Sequence, residues 1–183
     1  YYRVSKDEQA LELAKKTFLW LEEHNHDPIN KRYYQSLNRD GSPILRDSTF
    51  DSTSEIGYKD QNSSIHLLEA FTELYKVWPE KLVAERLEEL LLLIRNTIVN
   101  DRNYMNLFFE PDWTPVTFNE ETKDIIKKHY YLDHVSFGHD VEIAYLMLEA
   151  SEILKRKDTE ETLLKGKMMV DHAIENGWDK AFG

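Results

Sequence analysis

The stretch SFGHDVEIAY, residues 136–145, places a glycine, a histidine and two acidic residues where an apolar helical pattern starts. The pattern leads into the tripeptide LEA at 148–150, which repeats the LEA at 68–70 with a spacing of 80 residues. A loop segment repeats as well, because DGSPI at 40–44 is followed 72 residues later by DWTPV at 112–116. The chain therefore contains an internal repeat of two helices and a hairpin-like loop.

Apolar residues at helical spacing predict five helices, with Ser5 and Glu8 as the capping box of the first. Their approximate ranges are 5–24, 61–77, 79–98, 139–155 and 159–174. The aromatic segments 32–44 and 104–118 predict short strands around a tight turn. Stacked helical hairpins bury their apolar faces against their neighbours. We therefore expect an all-α fold, an α/α toroid of helical hairpins with short β-hairpins in the loops of one rim.

Composition limits the partners and the compartment of the protein. With 183 residues, 41% of them hydrophobic, the chain can bury a sizeable core, and the lack of a long apolar run predicts a soluble protein without a membrane partner. The formal net charge of −11 argues against nucleic acid and favours a neutral or cationic small ligand. The sequence contains no cysteine, which fits a reducing compartment, so we expect a cytoplasmic location.

The first candidate site lies at the start of the helix near residue 139. His139 falls in the first turn and Glu142 follows three residues later, so the two side chains share a helix face. The positive end of the helix dipole disfavours a protonated imidazole, whereas Glu142 favours it and can hold one ring nitrogen. This pattern predicts an oriented acid–base histidine. The alternative is a partly exposed capping histidine beside a surface glutamate.

The second candidate site is in KDQNSSIHLLEAF, residues 59–71. Asn62 and His66 are four residues apart near the start of a helix, so they point the same way. Because apolar residues flank His66, we expect it to face a largely buried wall, where a hydrogen-bonded core histidine is the alternative to a functional one. His66 and His139 are 73 residues apart, close to one repeat. The fold should therefore bring both imidazoles to the same rim, where they would form one site.

Other chemistries have weaker support in the sequence. Two histidines, a glutamate and an asparagine could bind a divalent ion. Metal sites on helices usually show a close pair such as E-x-x-H or H-E-x-x-H, whereas each of these helices gives only one histidine, so we expect no metal. Motifs for a hydrolase elbow, a phosphate loop or a dinucleotide site are absent. The remaining histidines are interpreted as surface or loop residues: His24, His26, His129, His134 and His172. A non-catalytic helical-repeat interaction protein remains the alternative from a different class.

The segments KDQNSSIHLLEAFTELYKVWPE at 59–80 and HVSFGHDVEIAYLMLEA at 134–150 resemble two central signatures of the N-acylglucosamine 2-epimerase superfamily. The resemblance is strongest to its cellobiose or mannobiose 2-epimerase branch. It implies an (α/α)6 barrel with the active site at one rim. It also implies cofactor-free epimerisation at C2 of the reducing-end sugar of a disaccharide, between glucose and mannose configuration. N-acylglucosamine 2-epimerase and aldose–ketose isomerase activities on the same fold are the alternatives.

The resemblance also implies roles for individual residues. His139 matches an acid–base histidine, and Glu142 matches the glutamate that orients it. His66 matches a histidine near the reacting end of the sugar, and Asn62 matches an amide that binds the open-chain intermediate. In this mechanism a base removes the C2 proton of the ring-opened aldehyde, and a proton then returns to the opposite face of the enediolate.

Two functional parts of the family have no match in this chain. One is a second acid–base histidine nearer to the C-terminus, and the other is a sugar-binding arginine from an N-terminal repeat. We therefore interpret residues 1–183 as a single-domain fragment, the central part of an (α/α)6 barrel whose N- and C-terminal repeats are missing. We expect the isolated fragment to be inactive. Apolar helix faces left bare should cause self-association or partial disorder.

Overall fold

The computed structural model describes residues 1–182, of which most lie in helices. In chain order the α-helices of the described residues are α1 Tyr2–Ser5, α2 Glu8–His24, α3 Gln61–Val77, α4 Lys81–Leu93, α5 Lys123–Lys128, α6 Phe137–Ile153 and α7 Thr159–Gly177. A π-helical turn, Ile94–Ile98, follows α4 directly. The prediction of an all-α fold is confirmed, and α3 has the predicted bounds. The predicted third helix is divided between α4 and the π-helical turn.

The first long helix starts later than its predicted capping box. Asp7 is the N-cap of α2, because its side chain accepts the backbone N–H of Gln9 at 3.0 Å. Ser5 belongs instead to α1, where its hydroxyl donates to the carbonyl of Tyr1 at 3.2 Å. Between the two helices Lys6 adopts a left-handed conformation with φ of 56°, which ends α1. The capping-box prediction is therefore wrong, since this turn separates Ser5 from the helix it was expected to cap.

Strand pairing in the described residues is limited to two short strands that link the two repeats. Strand β1, Lys59–Asp60, pairs antiparallel with β2, Phe108–Phe109, so that Lys59 is opposite Phe109. Strand β1 leads directly into α3, whereas β2 lies in the loop between α4 and α6. The pair therefore fixes the start of one helix to the loop that precedes the next repeat.

The two predicted β-hairpins are present as turns with little strand. The first is closed by a single bridge between Leu37 and Pro43, and the second by a bridge between Phe109 and Pro115. The second turn requires Trp113 at a φ of 70°, and its indole packs against Phe109 with ring centroids 5.4 Å apart. Each repeated D-x-[ST]-P segment thus makes a tight turn, as the sequence predicts, but the flanking segments pair elsewhere or not in regular strands.

The helices stack as hairpins around one apolar core. Helices α3 and α4 form one hairpin, and α6 and α7 form the next. The two hairpins meet where α6 packs against α3 and α4. Fully buried core residues from three of these helices include Ile65, Leu68, Leu87, Leu91, Ile143 and Met147. Burial of such side chains contributes about 1.5–3 kcal/mol each. The long connecting segments 25–60 and 99–136, which include β1, β2 and α5, both end at the N-terminus of the first helix of a hairpin. The start of α3 and the start of α6 therefore lie at the same end of the stack.

One face of α3 and one face of α6 are open to solvent. Asn62, His66 and Glu69 are exposed on α3, and Glu142 and Tyr145 are exposed on α6. Among residues 1–182 no helix is both long and apolar enough to cross a membrane.

Candidate active site

A cleft of about 370 Å³ lies between the N-termini of α3 and α6. Both helices and the loop that carries β2 contribute to its walls. The lining residues are Gln35, Asp60, Gln61, Asn62, Leu107, Phe108, Tyr131, His134, Ser136 and His139. A few polar groups over an apolar and aromatic wall are typical of a small-molecule site.

The imidazole of His139 is held by two side chains on one of its nitrogens. Its Nδ1 lies 3.1 Å from the Ser136 hydroxyl oxygen and 3.3 Å from Gln61 Nε2. Ser136 precedes α6 as its N-cap residue, and Gln61 is the first residue of α3. Among the described residues Nε2 of His139 makes no hydrogen bond. The ring is therefore oriented through Nδ1, while Nε2 remains available to a ligand.

Glu142 does not hold the imidazole in the way the sequence suggested. Its side chain is exposed on α6, and the described hydrogen bonds of His139 go to Ser136 and Gln61 instead. Sequence reasoning missed both partners. Ser136 was detectable in principle, since it lies three residues before His139 at the position of a helix cap. Gln61 was not, because it comes from another helix.

Asn62 and His66 have different environments although they share a helix face. Asn62 lines the cleft with His139. The imidazole of His66 is 50% exposed, and its Nδ1 lies 3.4 Å from Oε2 of Glu69. Four residues advance a helix by about 6 Å, which moves His66 along the open face of α3 and out of the cleft. The expected buried wall around His66 is thus wrong, and the two imidazoles do not share the cleft formed by residues 1–182.

Two buried carboxylates anchor the helix starts around the cleft. Asp60 is the N-cap of α3 and accepts the backbone N–H of Ser63 at 2.9 Å, yet burial raises the pKa of its carboxyl. Asp140 follows His139 and accepts the backbone N–H of Met105 at 2.9 Å. Burial raises the pKa of Asp140 to about 6, and the hydrogen bond from Met105 opposes this only in part. Neither buried carboxylate could be recognised from the sequence, because an acidic residue at a helix start normally remains in water.

A buried ion pair fixes the strand that leads into the site. The ammonium group of Lys59 lies 2.8 Å from Oδ2 of Asp27, and both side chains are almost fully buried. The same ammonium group lies 4.9 Å from the ring centroid of Trp113. Lys59 therefore ties β1 to the loop that follows α2 and to the second of the repeated turns. Two residues later the chain enters α3 with Gln61.

The other histidines differ partly from their interpretation as surface or loop residues. His134 is a loop residue, but it lines the cleft and stacks on Tyr130 with centroids 4.9 Å apart. His129 is buried and stacks on Phe118 at 4.1 Å, because the segment around α5 folds back over the loop. Within residues 1–182 no three His, Asp or Glu side chains are grouped closely enough to hold a metal ion.

These features place an oriented imidazole in a cleft on stacked helical hairpins, and comparison with known proteins assigns the family. The family model for N-acylglucosamine 2-epimerase (GlcNAc 2-epimerase) matches residues 36–183, and the chain belongs to this family. The resemblance of residues 59–80 and 134–150 to that family is confirmed.

Individual relatives and a solved structure show which members of the family the chain is similar to. The chain is 30% identical over 157 residues to cellobiose 2-epimerase from Bacteroides fragilis, covering 84% of this chain and 36% of the relative. It is 28% identical to cellobiose 2-epimerase from Ruminococcus albus, covering 96% and 41%. The structure of cellobiose 2-epimerase from Spirochaeta thermophila superposes with a TM-score of 0.74 at 25% identity, covering 96% and 41%. This structural neighbour is an (α/α)6 barrel, and the described hairpins form part of that fold. The chain spans about two fifths of the length of these relatives.

Proposed function

We propose that the complete protein carrying this chain is a sugar 2-epimerase. It interconverts glucose and mannose configuration at C2 of the reducing-end residue of a disaccharide of the cellobiose or mannobiose type. The observation that carries the proposal is the cleft in which Nδ1 of His139 is held by Ser136 and Gln61 while Nε2 makes no hydrogen bond within the described residues. The printed names of the relatives support the substrate class, since they are cellobiose 2-epimerases.

The proposed reaction moves one proton and needs no redox cofactor. The sugar opens to its aldehyde, and Nε2 of His139 removes the proton from C2. The electron pair of the broken C–H bond forms the C1–C2 double bond, and the aldehyde oxygen becomes the oxyanion of the enediolate. The electron pair then returns to C2, where the proposed second acid–base histidine delivers a proton to the opposite face and gives the epimer, and His139 releases the proton it accepted to solvent. An imidazole can accept or donate a proton near neutral pH, which suits both steps.

The other candidate residues stabilise the substrate or the charge in this proposal. The amide of Asn62, in the same cleft, donates to an oxygen of the open-chain intermediate, which lowers the energy of the oxyanion. Glu142 lies on the open face of α6, one turn after His139, and favours the imidazolium through its charge. His66 lies on the open face of α3, one turn after Asn62, and in this proposal it binds near the reacting end of the sugar. Neither Glu142 nor His66 lines the cleft formed by residues 1–182. Their roles therefore require contacts with the bound sugar or with residues outside this cleft.

We also propose that residues 1–183 are only part of the unit that is active. Residues 1–183 form the central part of an (α/α)6 barrel, and the second acid–base histidine and a sugar-binding arginine lie in other repeats. The coverage of the relatives supports this, because the chain spans only 36% and 41% of two of them. The isolated chain then lacks turnover. We further propose a cytoplasmic location, with which the lack of cysteine in these 183 residues agrees.

The test is an incubation of the complete protein in deuterated water with cellobiose, mannobiose, N-acetylglucosamine and N-acetylmannosamine in separate tubes. NMR then reports the C2 epimer and deuterium at C2. An epimer of a disaccharide with deuterium at C2 supports the proposal. Turnover of only the N-acetylhexosamines, or formation of a ketose, assigns a different sugar reaction on the same fold. If no sugar exchanges its C2 proton, the epimerase proposal fails and an interaction protein becomes the better hypothesis.

The isolated 183-residue chain receives the same assay. Turnover at a rate comparable to the complete protein contradicts the proposed extent of the functional unit. A rate at background, with a folded chain by circular dichroism, supports it.

A further inference from the structure

We propose that Gln61 is the positioning residue of His139, and that its side-chain amide sets the orientation and the tautomer of the imidazole. This inference rests on the proposed function for its catalytic meaning, but the contact itself is independent of any reaction. Gln61 Nε2 lies 3.3 Å from Nδ1 of His139. The two residues are 78 positions apart in sequence, so the contact exists only because α3 and α6 meet at their N-termini.

The backbone holds Gln61 tightly. Its N–H donates to the carbonyl of Leu107 at 2.9 Å, directly after the pairing of β1 with β2. The loop that carries Leu107 is fixed to α6 two residues earlier, because Met105 donates its N–H to the carboxylate of Asp140. A closed circuit of contacts therefore runs from Gln61 through the loop to Asp140 and back through His139. The amide meets the imidazole at a geometry that neither helix could set alone.

The amide side chain has a chemical property that suits this place. Gln61 is 5% exposed, and its Oε1 is buried without a hydrogen-bond partner among the described residues. An amide presents a donor on one side and an acceptor on the other, and half a turn about its last bond exchanges them. Gln61 can therefore donate to a bare Nδ1 or accept from Nδ1–H. The second arrangement leaves Nε2 of His139 unprotonated, which is the form a base requires.

The unpaired Oε1 gives this exchange a physical basis. A buried acceptor without a hydrogen-bond partner destabilises the folded protein. Rotation of the amide brings Oε1 to the Nδ1–H of His139, where it gains a hydrogen bond that becomes stronger when the ring is positively charged. The hydroxyl of Ser136, 3.1 Å from the same nitrogen, adapts by rotating its proton. Gln61 thus stabilises the base form and the imidazolium form of one residue.

Other titratable groups also surround the imidazole and bear on any change in its pKa. They line the cleft or lie within one turn of His139 on α6: Asp60, Tyr131, His134, Asp140 and Glu142. All of them are unchanged in variants of Gln61. A difference between such variants therefore reports the contact at Nδ1.

The experiment compares Gln61→Met, Gln61→Glu and the control Gln9→Met in the complete protein. Gln9 is exposed in the first turn of α2, away from the cleft, so its variant tests the chemical change alone. We expect Gln61→Met to lower kcat by about 10- to 100-fold with KM nearly unchanged, as for removal of partners that orient a functional histidine. Gln61→Glu keeps the size of the side chain, but its carboxylate can only accept hydrogen bonds. It should restore part of kcat and move the acidic limb of the rate profile to higher pH, because a carboxylate raises the pKa of the adjacent imidazole.

A second readout does not depend on turnover. Nitrogen-15 NMR of histidine-labelled protein, with the His139 signals identified by their loss in His139→Asn, reports which ring nitrogen carries the proton. The Gln61→Met variant should shift the tautomer ratio, and Gln61→Glu should increase protonation at Nδ1. Unchanged His139 signals in both variants would overturn the inference even if the protein is an active epimerase. Shifted signals in a protein without epimerase activity would uphold the contact and reject only the proposed reaction.

Discussion

Asp140 and Met105 are joined by a hydrogen bond of 2.9 Å, in which the buried carboxylate accepts a backbone N–H. Asp140 directly follows His139 in the first turn of α6, and Met105 belongs to the loop that leads into β2. The second oxygen, Oδ2, is buried without a partner among the described residues. The carboxylate of Asp140 thus fixes the start of α6, and its burial there raises its pKa.

The first prediction concerns the pH dependence of stability from Asp140. Its pKa is about 6 in the folded protein and near 3.8 when unfolded, so between these values the folded state binds more protons. Its contribution to the unfolding free energy is therefore full below about pH 4 and is lost as the pH rises through 6. Asp140→Asn removes this loss and still accepts from Met105. Relative to the wild type, the variant should gain up to about 3 kcal/mol between pH 4 and pH 7.5.

Urea unfolding of both proteins at pH 4, 5, 6 and 7.5 checks this. The other carboxylates titrate equally in both proteins, so the difference between the two curves isolates Asp140. A difference that does not change with pH would show that its carboxyl is not perturbed by burial.

The second prediction concerns the acid–base role of His139. In the complete protein His139→Asn should lower kcat by about 10²–10⁴-fold. The rate of deuterium uptake at C2 should fall by the same factor. The fold should remain, since the side chain is only partly buried. His24→Asn is the matched control, because His24 lies at the end of α2 outside the cleft. Retained exchange in His139→Asn, with normal exchange in the control, would transfer the base role to another residue.

The third prediction concerns the ion pair between Asp27 and Lys59. Burial raises the pKa of Asp27, but hydrogen bonds from Lys59 and from two backbone N–H groups outweigh it and lower the pKa to about 2. The stability from Asp27 is therefore present above about pH 4 and is lost as the pH falls towards 2. Asp27→Ala leaves the ammonium group of Lys59 buried and unpaired. This should cost about 3–5 kcal/mol of unfolding free energy.

The double variant Asp27→Ala with Lys59→Met provides the comparison. It removes both charges, so chemical denaturation should show it to be more stable than Asp27→Ala alone. If the double variant is no more stable, the cost of the single variant comes from lost packing and not from the unpaired charge.

The fourth prediction separates function from stability at His66. The imidazole is half exposed and its contact with Glu69 is a surface ion pair at most. His66→Asn should therefore change the unfolding free energy by less than about 0.5 kcal/mol. In the complete protein it should nevertheless lower kcat/KM for a disaccharide, because the open face of α3 carries both His66 and Asn62. Full kcat/KM in this variant would remove His66 from the proposed site.

The fifth prediction concerns self-association of the 183-residue chain. Leu163, Leu164 and Met168 are exposed on α7, with exposed fractions of 52%, 58% and 38%. An apolar surface of this kind promotes association. Light scattering should show species larger than a monomer, and Leu163→Glu with Leu164→Lys should reduce them. Glu175→Lys on the same helix is the control. A strictly monomeric wild-type chain would contradict the prediction.

Part of the fold could be predicted from local sequence alone. The bounds of α3 and the tight turns at the two D-x-[ST]-P segments depend on residues next to each other in the chain. Periodicity of apolar residues and the special backbone of a short turn are local properties, so the sequence reports them directly. The spacing of the LEA tripeptides likewise predicted stacked helical hairpins. The same reasoning placed His139 in the first turn of a helix.

The composition of the cleft was decided by tertiary structure. Asn62 was predicted near His139, but Gln61, one residue earlier, makes the contact with Nδ1 because α3 enters the cleft from across the stack. The buried wall expected for His66 is absent, since nothing within residues 1–182 covers that face of α3. The raised pKa of Asp140 arises from burial under the β2 loop. Contacts between distant segments and the exclusion of water depend on how the whole chain packs. Helical periodicity and turn conformation depend on residues that are close together in the sequence, so these could be predicted.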